Sequence, residues 1–331
     1  MTLLDEFVAA FHVWKVARPY IHMMVEDREM ELVVRMRDRP MTAGQVAELV
    51  GLSHDEASTL LQQAYSRCIV DKVVEDGRAI FTVTSFYDRL GHLAKFENWD
   101  DIPAEDRQAI NRRYLDEFIA RHRPNVERKM RGLEAQVALP NDTVLLVYEA
   151  EEMIDAATHI VVQPCDCRRL GQNCDLPVET CIWLDEGALG TLDRGYGRRL
   201  TKNEAKELLR WADKKGLMHT GDSEWRAHGL HAICNCCACD CYPFLAAQEL
   251  GSKGVWPKSR YVASRDHERC NLCGACVKRC HFDAFTHDGT TVEVDGKAKK
   301  TVRFDPGKCW GCGLCANTCP SGAIVMESLR V

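Results

Sequence analysis

Two runs near the end of the chain, CNLCGACVKRC from Cys270 to Cys280 and CWGCGLCANTCP from Cys309 to Pro320, each hold four cysteines spaced C-x-x-C-x-x-C-x-x-x-C. Thiolates are soft ligands, and four that converge from different directions suit the corners of an iron-sulfur cube. Two-residue gaps let a tight loop present three sulfurs to one centre, and Gly274 and Gly313 supply the backbone freedom for that turn. Zinc sites normally present two cysteine pairs separated by a longer loop, so the runs argue against zinc. Disulfides need an oxidising compartment. The opening residues MTLLDEFVAAFHVWKVARP carry acids where a signal peptide wants bases and show no clear cleavage site, so a cytoplasmic protein is expected. A load of 18 cysteines in a reducing compartment points to metal clusters, in an organism or condition low in oxygen.

The paired runs resemble those of bacterial two-cluster ferredoxins, in which three cysteines of each run hold one 4Fe-4S cube and the fourth reaches across to the other. That resemblance implies one cluster on Cys270, Cys273, Cys276 and Cys319, and a second on Cys309, Cys312, Cys315 and Cys280. Pro320 completes the C-P signature of the second run, whereas His281 stands at that place in the first and sets an imidazole beside a cluster. The stretch from His281 to Lys308 is longer than the connection in a minimal ferredoxin and reads as added strands. THDGTTVEV is expected to turn at Asp288-Gly289, with TVRF following a lysine-rich loop from Lys297 to Lys300. Such a hairpin would cover a cluster or present charge to a redox partner.

Nine further cysteines lie upstream: Cys165, Cys167, Cys174 and Cys181 in PCDCRRLGQNCDLPVETC, and Cys234, Cys236, Cys237, Cys239 and Cys241 in HAICNCCACDC. The spacing C-x-C-x6-C-x6-C matches no common motif, and five thiols within eight residues cannot all serve one ion. The reading is at least one additional 4Fe-4S cluster, with ligands enough for two; zinc is the alternative. Between the knots, Thr201 and Glu204 form a capping box, Ala205, Leu208, Leu209 and Ala212 make an apolar stripe, and Gly216 ends the helix. Arg168, Arg169, Arg194, Arg198 and Arg199 are expected to neutralise anionic clusters rather than to clamp a substrate. His228 and His231 read as structural, and no Rossmann or Walker glycine pattern accompanies them. Together with the C-terminal runs, the stretch from Val161 through Phe244 resembles a broad family of anaerobic 4Fe-4S proteins sharing CxCR and ICNCC. The resemblance implies redox function without naming a substrate, and CACDC departs from it by placing Asp240 where a cysteine is expected.

Other elements must position this chemistry. Residues 1 to about 140 look helical and contain one cysteine, Cys68, read as a small buried residue. Within them Met41 to Thr84 resembles a winged helix: Thr42 to Val50, a break at Gly51, Ser53 to Arg67, then a hairpin turning at Asp76-Gly77. The second helix exposes His54, Asp55 and Glu56 where DNA would be met, so DNA binding is not expected and a docking or structural role is. RQAINRRYLDEFIARHRP reads as an amphipathic helix ended by Pro124. After a boundary at Leu139 to Asp142, TVLLVY, a short helix from Glu149 to Ala157 and HIVVQP begin an α/β region.

With 331 residues, 46% hydrophobic content and a net charge of −6, the chain can bury a real core, has no general attraction for nucleic acid and contains no apolar run approaching a membrane span. The expected class is an α+β multidomain protein: a helical winged-helix-like domain (1–140), a cysteine-rich α/β domain (141–262) and a dicluster ferredoxin-like domain (263–331). Its expected work is passing single electrons to a partner oxidoreductase, as a carrier or subunit rather than a stand-alone enzyme. A reductase with a substrate-binding central cluster and a redox-sensing regulator are the alternatives. No catalytic residue is assigned, and oligomerisation is left open.

Overall fold

Local signals in the sequence nucleate the N-terminal elements directly. Thr42 accepts from the Gln45 amide and Ser53 from the Glu56 amide, each closing a reciprocal capping box that starts the helices Ala43–Val50 and His54–Ser66. Gly51 ends the first of these in the left-handed region. Strands Val70–Glu75 and Arg78–Val83 pair antiparallel across Asp76 and Gly77, whose φ values of 48° and 75° suit the tight turn. Val46, Ala57, Leu60, Leu61 and Ala64 are buried. The computed structural model describes residues 2–294 and 296–329, which divide into two compact units, the first formed by residues 2–117 with Arg169–Gly171 and Asp193–Gly195.

Inside this first unit lies a charged network. Arg89, fully buried, grips both carboxylate oxygens of Glu97 at 2.7 Å and donates to the Met24 carbonyl, while Arg67 bonds Glu29 at 2.8 Å. His92 packs beside it, and burial together with Arg89 pushes its pKa down to about 2. Burial likewise pushes the Cys68 thiol up to about 11, in keeping with an unreactive packing residue.

The second unit is built on a six-stranded sheet in the order Thr143–Leu145, Met218–Gly221, Ala232–Cys236, Glu179–Leu184, Ile160–Pro164, Arg198–Arg199, with antiparallel pairing throughout. Helices Val147–Ala156 and Lys202–Lys215 cover it, packing Ala150, Met153, Ile154, Ala205 and Leu209 on Ile160, Val162, Ile182 and Ile233. The second of these helices has the expected Thr201–Glu204 box and ends at Gly216, φ 99°.

Downstream, strands Tyr261–Arg265 and Ile324–Ser328 pair antiparallel. They bracket two short helices, Ala275–Arg279 and Leu314–Thr318, and the ribbon Phe285–Val294 with Lys297–Phe304.

Two expectations need correction. Pro124 does not end its helix, which runs from Ala104 to Met130: proline removes one bond to the preceding turn, yet its fixed φ suits the helix and the flanking turns hold it. The C-terminal ribbon does not turn at Asp288-Gly289: its strands stay paired as far as Val294 with Lys297. Asp288 and Gly289 form a bulge between His287 and Thr291, where Asp288 accepts from the Thr290 amide and hydroxyl, and Lys297 to Lys300 lie in a strand rather than a loop. Among the described residues no helix is long and apolar enough to cross a membrane.

Candidate metal centres

The two C-terminal runs fold alike. Each sends its chain through a glycine in the left-handed region, Gly274 (φ 72°) and Gly313 (φ 79°), directly into a short helix. One residue before the second cysteine the backbone is again left-handed, at Leu272 (φ 55°) and at Gly311 (φ 69°). Only a glycine fits the latter place, because a Cβ would stand 2.3 Å from the Tyr261 carbonyl oxygen.

Cys280, Cys309, Cys312 and Cys315 line one cavity, walled by Phe282, Phe285, Trp310 and Leu314. The Ala284 and Gly311 amides donate to the sulfurs of Cys280 and Cys309 at 3.3 and 3.4 Å. Burial, with repulsion from Cys309 and Cys280, pushes the Cys312 thiol up to about 12, and Cys315 rises for the same reasons. Four mutually repelling thiols in an apolar cavity, with amides aimed at their sulfurs, fit a cationic cluster that takes their protons' place.

Cys276 is pushed up to about 11 by burial and by Cys270 and Cys273, and shares its core with Cys319. Burial acts to raise the Cys319 thiol too, but the Ser321 hydroxyl and the amides of Ala323, Ser321 and Ile324 bring it below its ordinary value. Both foursomes of the C-terminal runs thus have donor sets suited to a cluster.

Cys280 is flanked by two anchored residues. The Arg279 guanidinium donates to the Asp213 and Lys214 carbonyls at 2.5 and 2.6 Å, and His281 Nε2 donates to the Gly216 carbonyl at 2.6 Å. These carbonyls lie at the end of helix Lys202–Lys215, where the Asp213 carbonyl also accepts from the Gly216 amide at 2.9 Å. The unusual histidine therefore closes a helix end, a bond that proline cannot make.

Upstream, the nine cysteines separate into two groups. Strand alternation sets Cys234 and Cys236 on the face opposite Ile233. Cys234 meets Cys181 at 4.0 Å, Cys236 lies in thiol contact with Cys234 and Cys241, and Cys167 bonds Cys165 and faces Cys241. Cys165, Cys167, Cys181, Cys234, Cys236 and Cys241 so form one six-thiol basin.

A turn over residues 238–240 follows and holds the second group. There Cys174, Cys237 and Cys239 have sulfurs within 4.8 Å of one another, and Asp240 Oδ2 lies 3.5 Å from Cys174 Sγ.

Of the five arginines expected to neutralise clusters, Arg168 alone is placed among the thiols. It is 2% exposed, donates to the carbonyls of Pro177 and Asn235 and to Thr180 Oγ1, and bonds Cys237. Burial acts to lower its pKa, but Cys165, Cys237 and Cys236 more than offset this and hold the charge firmly in place. Arg169 bonds Ala94 and Asp100, and Arg194 bonds Tyr65 and Asp71, all within the first unit; Arg198 and Arg199 are exposed. His228 and His231 are exposed. Near the thiols a buried histidine is His219, bonded at Nδ1 to Asn235, a role its isolated place in the sequence did not reveal.

Sequence reasoning also missed Trp310. Buried within the C-W-G-C of the second run, it stacks on Phe282 at 4.9 Å and meets Phe244 edge-on at 5.1 Å. Phe244 follows the second cysteine knot, and both aromatics share one apolar cluster with Cys236, Cys241 and Cys312. A bulky aromatic inside a ligand run, where the sister run has Asn271-Leu272, was the available signal.

Comparison with known proteins bears on the C-terminal part. Residues 269–323 match the family described as 4Fe-4S dicluster domain. Ferredoxin-3 of Rhodobacter capsulatus is 36% identical over 76 residues, 18% of this chain and 75% of that protein. Through this part, the chain belongs to the dicluster 4Fe-4S ferredoxin family.

The dicluster domain carries two 4Fe-4S clusters and serves iron-sulfur electron transfer. It is also similar to the polyferredoxin protein MvhB of Methanothermus fervidus, 37% identical over 76 residues (22% of this chain), and to the indolepyruvate oxidoreductase subunit IorA of Pyrococcus horikoshii, 29% identical over 111 residues (34% of this chain). The chain spans 18% and 15% of the lengths of those two proteins. No solved structure matches the chain. Bound 4Fe-4S clusters supply one-electron exchange with little rearrangement. The dicluster domain's own residues aim amides at sulfur and keep water from Cys312 and Cys315.

Proposed function

We propose that this chain moves single electrons between the dicluster domain, whose ligands are the eight cysteines of the two runs in the crossed arrangement, and a further 4Fe-4S cluster in the six-thiol basin, delivering them to a partner oxidoreductase. The observation that carries this reading is the aromatic contact of Trp310 and Phe244, which joins Cys312 to Cys236 and Cys241 through one apolar cluster. Electron exchange weakens steeply with distance, and direct packing keeps the gap short and dry. Arg168 supplies the positive charge that an anionic centre in the basin needs.

The reading treats the chain as three functional parts, 1–140, 141–262 and 263–331. In the first, the winged-helix-like segment serves docking: its helix opens with acidic residues, and its hairpin exposes Val73 (54%) and Val74 (68%), an apolar tip suited to a protein surface rather than to phosphates.

Anaerobic iron and sulfide analysis tests the proposal. About 12 irons per chain are expected, falling by about four in Cys236→Ser/Cys241→Ser with the EPR signals of the dicluster domain retained. A wild-type content of about eight irons, unchanged by that double substitution, would leave the basin without a cluster and defeat the reading.

A further inference from the structure

The second upstream group has a geometry of its own. Cys174 Sγ and Cys237 Sγ stand 3.9 Å apart, and Cys239 completes a trio within 4.8 Å. With Zn–S bonds of about 2.3 Å, two thiolates on a tetrahedral zinc ion lie about 3.8 Å apart. Ligand sulfurs of a 4Fe-4S cube lie roughly 6 Å apart, because the irons stand between them. The protein supplies its own comparison: among the described residues the foursomes of the dicluster domain hold no trio this close, whereas the basin has close pairs, Cys181 and Cys234 at 4.0 Å among them, and one close trio, Cys165, Asp166 and Cys167, two of whose members are chain neighbours of the third.

The fourth corner is Asp240. Its carboxylate is 1% exposed, and among the described residues it makes no ion pair. Oδ1 accepts from the amide and side-chain nitrogen of Asn173, at 3.3 and 2.7 Å, which turns Oδ2 toward the thiols, 3.5 Å from Cys174 and 4.0 Å from Cys237. A buried carboxylate held by a hydrogen-bonded neighbour and aimed at three thiols has the form of an oriented metal ligand. Uncompensated by a cation, it is costly. The oxygen at this place, where a cysteine was expected, offers a fourth donor beside Cys174 and Cys237, farther from Cys239, for an ion that takes four ligands in tetrahedral geometry.

We infer that Cys174, Cys237, Cys239 and Asp240 form a mononuclear zinc site, separate from the six-thiol basin and closed by four protein ligands. Its role is structural. Zinc ties the 238–240 turn to Cys174, a tether that the basin's own ligands do not need.

The test uses the full chain, purified anaerobically from zinc-supplemented cells, with zinc and iron counted together and the zinc K-edge absorption recorded. The expected result is about one zinc per chain bound by three sulfurs at about 2.3 Å and one oxygen at about 2.0 Å. Cys237→Ser/Cys239→Ser removes the zinc and keeps the iron, and Asp240→Asn lowers zinc affinity in chelator competition by at least about tenfold. Zinc below roughly 0.2 per chain, a four-sulfur shell, or a loss of about four irons in the cysteine double variant overturns the inference. Should that variant not fold, the exposed-ligand change Cys239→Ser and Asp240→Asn decide: unchanged zinc affinity in both also overturns it. Failure of the basin's cluster registers in iron with zinc intact, so the two readings fail separately.

Discussion

Arg168 offers the most direct test of the charge arrangement around the central thiols. Its guanidinium is buried against Cys165, Cys236 and Cys237, so Arg168→Gln removes one positive charge while an amide still serves the carbonyls of Pro177 and Asn235. At a separation of roughly 7 Å from the cluster centre and an effective dielectric constant of about 20, one charge is worth about 2.4 kcal/mol. For a one-electron couple, with about 59 mV per tenfold change in equilibrium, that is about 100 mV. The sign follows from charge: reduction adds an electron, the cation stabilises the reduced state, and its removal lowers the potential. Arg168→Lys keeps the charge and is expected to remain within about 30 mV of wild type by the same Coulomb argument. EPR-monitored potentiometric titration of samples with wild-type iron content reads the shift. If every cluster of Arg168→Gln titrates within about 20 mV of wild type, the guanidinium does not act on a redox centre and the reasoning fails.

Three further outcomes follow from packing. Arg89→Met leaves the Glu97 carboxylate with only the longer contacts to Arg67 and His92, at 3.9 and 3.6 Å, and is expected to cost about 3 kcal/mol in denaturant unfolding, whereas Arg89→Met/Glu97→Met recovers most of it; a double variant no more stable than the single one contradicts the ion-pair account. His92, pushed down to about 2, stays neutral in the fold while the unfolded chain protonates near pH 6.5, so its contribution is fully present above that pH and is lost below it. The loss amounts to about 2.7 kcal/mol by pH 4.5, and a His92→Phe variant with an unchanged acid limb refutes it. Gly311→Ala places a Cβ 2.3 Å from the Tyr261 oxygen at a positive φ and is expected to destabilise by about 2–4 kcal/mol and to shed iron, while Leu272→Gly at the equivalent place of the first run does neither; equal iron contents count against the account.

Features encoded within a few residues were legible in the sequence. The capping boxes at Thr42, Ser53 and Thr201, the Asp76-Gly77 turn and the ferredoxin spacing all depend on near neighbours. What escaped depends on distant ones. Asp288-Gly289 has the composition of a turn, yet pairing with Lys297–Phe304 absorbs it as a bulge. The division of nine cysteines into six and three arises because Cys174 meets Cys237 and Cys239, while Cys236 meets Cys234 and Cys241, partnerships that spacing does not reveal. Asp240 was visible as an oddity, but its meaning needed Asn173 and Cys174, brought to it from far along the chain.

The bonds from Arg279 and His281 to the last turn of helix Lys202–Lys215 bear on how separable the ferredoxin part is. Cutting the chain before residue 266 would take Arg279 and His281 from the Lys214 and Gly216 carbonyls and uncover Phe244, which is wholly buried. Such a fragment loses both a helix cap and a wall of its core. The familiar module at the end of this chain is thus no detachable accessory: it completes the folding of the cysteine-rich region before it, and the two stand or unfold together.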